Sequence, residues 1–197
     1  MNKKFSIKKV SIPDSVVKEW QDIVDILAEL LDVPAALIMR VSSSFVEVFR
    51  ASQTEGNPYS VGDRQNISGV YCEEVIKNKK ELLVKNATTA DKWKDNPDIE
   101  LDMISYLGYP LCWPDGDVFG TLCVFDKTER GFSEKHQKVM KRFKGMIEHN
   151  LALIQKESQL KGDKNRYRVI FENTGTATLI VEENHIISRV NRQFEEL

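Results

Sequence analysis

The sequence predicts an α/β domain of the α+β type: an antiparallel sheet with helices on one face and an irregular layer on the other. Three observations predict it. Two pairs of strand-like runs are each joined by a short polar turn, Ala35 to Val41 with Phe45 to Ala51, and Tyr106 to Trp113 with Val118 to Phe125. Two helical stripes flank these pairs, one before and one after. Between the pairs lies a long stretch, Ser52 to Ser105, with little periodicity, two short helical patterns and one short strand pattern.

Taken in order, Pro13 and Asp14 open the first helix. Val16, Val17, Trp20, Ile23, Val24, Leu27, Leu30 and Leu31 then fall at spacings of three and four, and Pro34 ends it. The Ser42-Ser43-Ser44 turn joins the first two strands. Ser52 to Gly62 carries Gly56, Pro58 and Gly62 and reads as a loop. A short helix follows over Val70 to Asn78, then a short strand over Leu82 to Val84. Asn86 to Pro97 is polar around Trp93, and Asp98 to Ser105 suits a short helix with Ile99, Met103 and Ile104 inward. Pro114-Asp115-Gly116-Asp117 is the turn of the second hairpin, where Asp-Gly between apolar runs is a strong local signal. Ser133 caps a long helix with Glu134 near its positive end. Its stripe is Val139, Met140, Phe143, Met146, Ile147, Leu151 and Ile154, and it turns polar from Lys156 to Asp163, where Gly162 weakens it. Beyond Asn165 a new helix with Tyr167, Ile170 and Phe171 precedes two strands, Ala177 to Val181 and His185 to Ser188, joined by Glu182-Glu183-Asn184. This divides the chain into a tail, 1–13, a main domain, 14–156, a helical linker, 157–166, and a C-terminal piece, 167–197.

Composition narrows the function classes. Of 197 residues, 41% are hydrophobic and 29% charged, enough to bury a core. A net charge of -2 gives no reason to expect nucleic acid or an anionic membrane as partner. The basic clusters at Lys3, Lys4, Lys8 and Lys9, and from Lys161 to Arg168, read as solvated tail and linker charge. No apolar run reaches the roughly 18 residues of a membrane span, and Met1-Asn2-Lys3-Lys4 is not followed by a signal-peptide core, so a cytoplasmic location is expected. Cys72, Cys112 and Cys123 are odd in number and lack CxxC spacing, which predicts reduced thiols and no structural metal site. No phosphate-binding glycine loop or catalytic triad is evident, so no catalytic residue is assigned.

The segment Leu107-Gly108-Tyr109-Pro110-Leu111, then Pro114-Asp115-Gly116, then Gly120-Thr121-Leu122-Cys123-Val124-Phe125-Asp126 resembles the signature hairpin of GAF domains. Tyr71-Cys72-Glu73-Glu74-Val75-Ile76, Leu82-Leu83-Val84 and Ala90-Asp91 resemble the upstream helix, strand and loop of that family, so the resemblance covers about 14–156. The C-terminal piece resembles the start of a PAS domain, from Tyr167-Arg168-Val169-Ile170-Phe171-Glu172-Asn173 to Val190-Asn191-Arg192-Gln193-Phe194. Two strands alone leave edges that need a cover, so residues 176–197 are expected to be mobile or packed on a neighbouring chain.

The resemblance implies a ligand held between the sheet and the irregular layer, with Tyr71, Asp91, Trp93, Met103, Tyr106, Trp113 and Cys123 as its pocket; the same residues also suit plain core filling. The ligand stays unnamed. A bilin is attached through a cysteine, usually followed by histidine, and no Cys-His pair exists here. Haem needs an axial ligand, and His136, His149 and His185 fall on the long helix and the last hairpin. The Asn-Lys-Phe-Asp-Glu motif of cyclic-nucleotide-binding members is absent, and Ile147-Glu148-His149-Asn150-Leu151 lacks the phosphoacceptor pattern of kinases.

Two readings of function follow from the resemblance. One is a sensory module of a multidomain signalling protein such as a histidine kinase, which binds a small molecule and relays a change through the long helix. The other is a ligand-free dimerisation and relay module. Both expect a homodimer through the first and the long helix. A third, a methionine sulfoxide reductase, lacks the cysteine-bearing loop of that family.

Overall fold

The computed structural model describes residues 10–183 and 185–197. The first basic cluster, Lys3 to Lys9, and Asn184 of the predicted turn lie outside the described residues. The chain divides after Leu153 into two compact units.

Helix α1, Asp14–Leu31, starts where predicted. Pro13 is extended at its N-cap, and Asp14 places a negative charge at the positive end of the helix. The stop comes before Pro34: Asp32 turns left-handed at φ 51°, and its N–H bonds to the carbonyls of Ala28 and Glu29. Strands β1, Ala35–Ser42, and β2, Phe45–Ala51, form the first hairpin; β5, Ser105–Cys112, and β6, Val118–Asp126, form the second. With β3, Arg64–Asn66, and β4, Leu82–Val84, they build one antiparallel sheet in the order β3-β2-β1-β6-β5-β4. The sequence gives β3 no signal. It is three polar residues that pair with the edge of β2, inside a stretch read as loop.

Helix α1 and the first part of α3, Glu134–Glu172, cover one face of the sheet. Trp20 of α1 is fully buried there. It meets Phe49 and Phe119 edge-on, at 5.7 and 5.4 Å between ring centroids, and donates its indole N–H to Asn150 Oδ1 of α3 at 3.1 Å. Both phenylalanines sit at β-bulges. The β1–β2 register passes from Ile38↔Arg50 to Met39↔Val48 and skips Phe49, and the β5–β6 register passes from Leu111↔Gly120 to Cys112↔Val118 and skips Phe119. Each bulge aims one extra aromatic ring at the tryptophan. On the other face lie α2, Tyr71–Asn78, and two 3-10 turns, Ala87–Thr89 and Pro97–Leu101. Among the described residues no helix is long and apolar enough to cross a membrane.

The second unit holds the end of α3, the hairpin β7, Leu179–Val181, with β8, Ile187–Val190, and α4, Arg192–Glu195. Helix α3 continues without a break through Gly162 and the predicted linker to Glu172. The hairpin is narrower than predicted, because His185 takes a left-handed φ of 63° in the turn and β8 begins at Ile187. Asn191 is fully buried and ties the unit together. Its Nδ2 donates to the carbonyls of Phe171 and Thr176, at 3.1 and 2.8 Å, and its Oδ1 accepts from Thr178 N and Phe194 N, at 2.8 and 3.1 Å. Asn191→Ala removes the acceptor of Thr178 N, whereas Phe194 N keeps its bond to the residue 191 carbonyl, and it is expected to speed amide exchange at Thr178 by about tenfold or more. Unchanged exchange would show that the side chain does not hold the unit.

Candidate functional site

The face of the sheet opposite α1 carries a second core. Leu37 and Met39 of β1, Val46 and Val48 of β2, and Phe125 of β6 belong to it, as strand alternation requires once β1 and β6 pair Leu37 with Cys123 and Ala35 with Phe125. Helix α2 lies over β5 and β6, burying Tyr71, Cys72, Val75 and Ile76. Between this sheet face, the loop before β3 and the Pro97–Leu101 turn is a cavity of about 320 Å³. Its wall is largely aliphatic and aromatic, from Leu37, Met39, Val46, Val48, Val70, Tyr59 and Phe125, with Cys72 and Asp98 also on it.

Asp98 is the buried acid of the site, 4% exposed. Local chemistry fixes it there. Asn96 caps the 3-10 turn, its Oδ1 accepting from Asp98 N at 2.9 Å, with Pro97 at the first position. Asn96 Nδ2 donates to Gly69 O at 3.2 Å, which ties the turn to the segment leading into α2. Asp102, left-handed at φ 62°, closes the turn by bonding to the carbonyls of Asp98 and Ile99. Tyr59 Oη donates to Asp98 Oδ1 at 2.9 Å, and the Tyr59 ring packs on Phe125 at 5.0 Å between centroids. Burial pushes the Asp98 carboxyl up to about 6 against the opposing effect of the Tyr59 bond. Burial, with Asp98 as neighbour, lifts the Tyr59 phenol well above its ordinary range.

Cys72 Sγ lies 3.2 Å from Thr121 Oγ1 and 3.6 Å from Tyr106 Oη. Cys123 lies behind it on β6, 3.9 Å from Thr121 Oγ1, and burial pushes its thiol well above the usual value. At the rim, Arg64 is ion-paired with Glu47 at 3.7 Å, and Glu47 also holds Arg40 at 3.1 Å. Among the described residues no group of three or more His, Cys, Asp or Glu is placed to hold a metal ion.

The predicted pocket residues divide three ways. Tyr71, Trp93, Met103, Tyr106 and Cys123 come together as core beside the cavity. Tyr71 stacks on Tyr106 at 4.7 Å and meets Trp93 at 5.0 Å, and its hydroxyl has no hydrogen-bond partner among the described residues. Tyr106 stands behind the cavity wall, against Phe125 at 5.1 Å and Cys72 Sγ at 3.6 Å. Asp91 is exposed and stands away from the cavity, and Asp98 takes the place expected of it. Trp113 lies on the helix-covered face, edge-on to Phe119 at 5.9 Å. Sequence reasoning missed Tyr59 and Asp98. The Asn96-Pro97-Asp98 run carries a cap-and-proline signal for the turn that buries Asp98, whereas nothing local marks Tyr59 within its polar loop.

The GAF domain family matches residues 17–149. A curated relative, the diguanylate cyclase DgcP of Escherichia coli (strain K12), is 32% identical over 124 residues; the match takes in 54% of this chain and 36% of the relative, so the chain spans about a third of that protein. The GAF domain of a phosphoenolpyruvate-protein phosphotransferase from Coxiella burnetii shares the fold at a TM-score of 0.60 and 15% identity, over 73% of this chain and 86% of that one. So does a type II free methionine-R-sulfoxide reductase from Thermoplasma acidophilum, at a TM-score of 0.56 and 10% identity, over 72% and 95%. The match over residues 17–149, the six-stranded antiparallel sheet and its helix-covered face agree, and the chain belongs to the GAF domain family, a family of regulatory modules in signalling proteins.

Proposed function

We propose that this chain is the sensory part of a larger signalling protein, that it binds a small molecule in the cavity around Asp98, and that it relays occupancy through α3. One observation carries the reading: a cavity of about 320 Å³, mostly apolar, with a buried carboxyl on its wall. Strand β6 links that wall to the relay. Phe125 lines the cavity near one end of the β5–β6 hairpin, and at the other end Cys112 N donates to Glu148 Oε1 of α3 at 2.9 Å. A ligand acts on α3 only by preferring one of two packings of this hairpin. The output domain is of the kind that follows such modules, a histidine kinase or a cyclic-dinucleotide enzyme, and residues 167–197 are the opening of a PAS domain. The helix, two strands and helix of the second unit support that last assignment.

A second reading, a ligand-free dimerisation and relay module, draws on α3. Met146, Leu153, Leu160 and Tyr167 are exposed and spaced by seven residues, as a helix pairing with its own copy requires. Ile26 and Leu30 of α1 are exposed as well. Both readings expect a homodimer, and light scattering that finds a monomer at tens of micromolar would remove it. Native mass spectrometry separates them. A co-purifying small molecule, with slower amide exchange over 105–126 and 134–153 than in the stripped protein, is expected of the sensor; no adduct and no exchange change across a metabolite library would leave the second reading.

A further inference from the structure

We infer that the cavity takes an organic monocation: a compact apolar body bearing one protonated amine or amidine that seats on Asp98 beside the packed rings of Tyr59 and Phe125. The inference rests on reading the cavity as a ligand site, and it adds the chemical class of the ligand.

The lining sets the class. Its charged residues are Asp63, Arg64 and Asp98, and no lysine or histidine is among them. Arg64 is already ion-paired with Glu47 and its side chain is 69% exposed, so it stands at the mouth and not at the wall. Asp98 is buried, and among the described residues Tyr59 Oη gives its carboxylate the one hydrogen bond it receives. An ionised carboxylate in an apolar wall calls for a counter-charge or further donors, which a protonated nitrogen supplies with several N–H groups. The two rings beside it, 5.0 Å apart and tilted by 41°, add the attraction of a cation for aromatic faces. An anion at Asp98 meets a like charge, and the one cation of the lining, Arg64, is exposed at the mouth and shared with Glu47, which disfavours phosphate and carboxylate ligands at the wall. The volume is at the small end for ligand sites, so the body is a single ring or a short chain. The raised carboxyl of Asp98 is in keeping with this, since a group held partly neutral when empty becomes fully ionised beside a cation.

The test uses the full chain and matched triplets on common skeletons, each an amine, an alcohol and a carboxylate: 2-phenylethylamine, 2-phenylethanol and phenylacetate, with cyclohexyl and short-chain equivalents. Saturation-transfer NMR and calorimetry at pH 7.5 read binding. Binding is expected in the amine members, at least tenfold tighter than in their alcohols, with none in the carboxylates. Asp98→Asn still accepts from Tyr59 and should fold; it is expected to weaken the amines tenfold or more and to leave the alcohols unchanged. Tyr59→Phe keeps the charge and should keep amine preference. Alcohols or carboxylates that bind as well as amines, or amines indifferent to Asp98→Asn, would overturn the inference while leaving the sensor reading in place. No binding by any member of any triplet would overturn the inference, and the sensor reading would stand or fall on native mass spectrometry.

Discussion

Gly120→Ala is expected to cost more than about 4 kcal/mol or to prevent folding, the largest effect of any single methyl group in this chain. Gly120 sits on β6, paired with Arg40 of β1 and Leu111 of β5 at the centre of the sheet. A Cβ at this position falls 1.7 Å from the carbonyl oxygen of Met39 and 2.7 Å from its carbon. Those are backbone atoms of the neighbouring strand, so no rotamer change clears them; β1 and β6 must separate or the hairpin must shift its register. Either change moves Phe119, one residue away, out from under Trp20. Gly145→Ala is the matched control. It lies on the exposed side of α3 with nothing within 4 Å of a new Cβ, and is expected to add about 0.5–1 kcal/mol by helix propensity. Urea unfolding of the two variants checks the pair. A Gly120→Ala protein within about 1 kcal/mol of the parent would mean that the centre of the sheet gives more readily than its packing implies.

Most of this architecture was legible because it depends on short-range signals. The stripe from Val16 to Leu31 predicted α1, and the Asp-Gly turn predicted the second hairpin. What was not legible depends on pairing between distant segments. Strand β3 exists only because β2 offers it an edge. The bulges at Phe49 and Phe119 are visible only once register is known, and they decide which face those rings occupy. Trp113 needed no knowledge of register: simple alternation from Tyr106 puts it on the opposite face, which α1 and α3 cover and where it meets Phe119. At the cavity, a search for aromatics found the core behind it, Tyr71 and Tyr106, and named Asp91, which is exposed, seven residues before the buried Asp98. Burial of Asp98 follows from the cap at Asn96 and the bond to Tyr59, 39 residues away, and the second of these has no local trace.

Asp98→Asn is expected to stabilise the protein by about 1–3 kcal/mol at pH 7.5 and by nothing near pH 4. In the fold the carboxyl titrates at about 6, against an ordinary value of 3.8. The folded state therefore holds the proton more tightly than the unfolded chain between these values. Stability is highest below pH 4, falls as pH rises from about 4 to 6, and is level above 6, with a total cost of about 3 kcal/mol for an Asp ionised at this position. Asparagine has the same shape, accepts the Tyr59 hydrogen bond through its own oxygen, and carries no charge to desolvate, so the cost and its pH dependence disappear together. Urea midpoints of parent and variant from pH 4 to 8 test this: the two curves should converge at the acid end and diverge above pH 6. Parallel curves would mean that Asp98 is hydrated or otherwise paired in solution. A neutral residue here would give a firmer domain, and the sequence holds an acid, seated by a cap, a proline and a tyrosine. A destabilising charge placed with that much local support is what the proposed ligand site requires, because stability and function oppose one another at such positions.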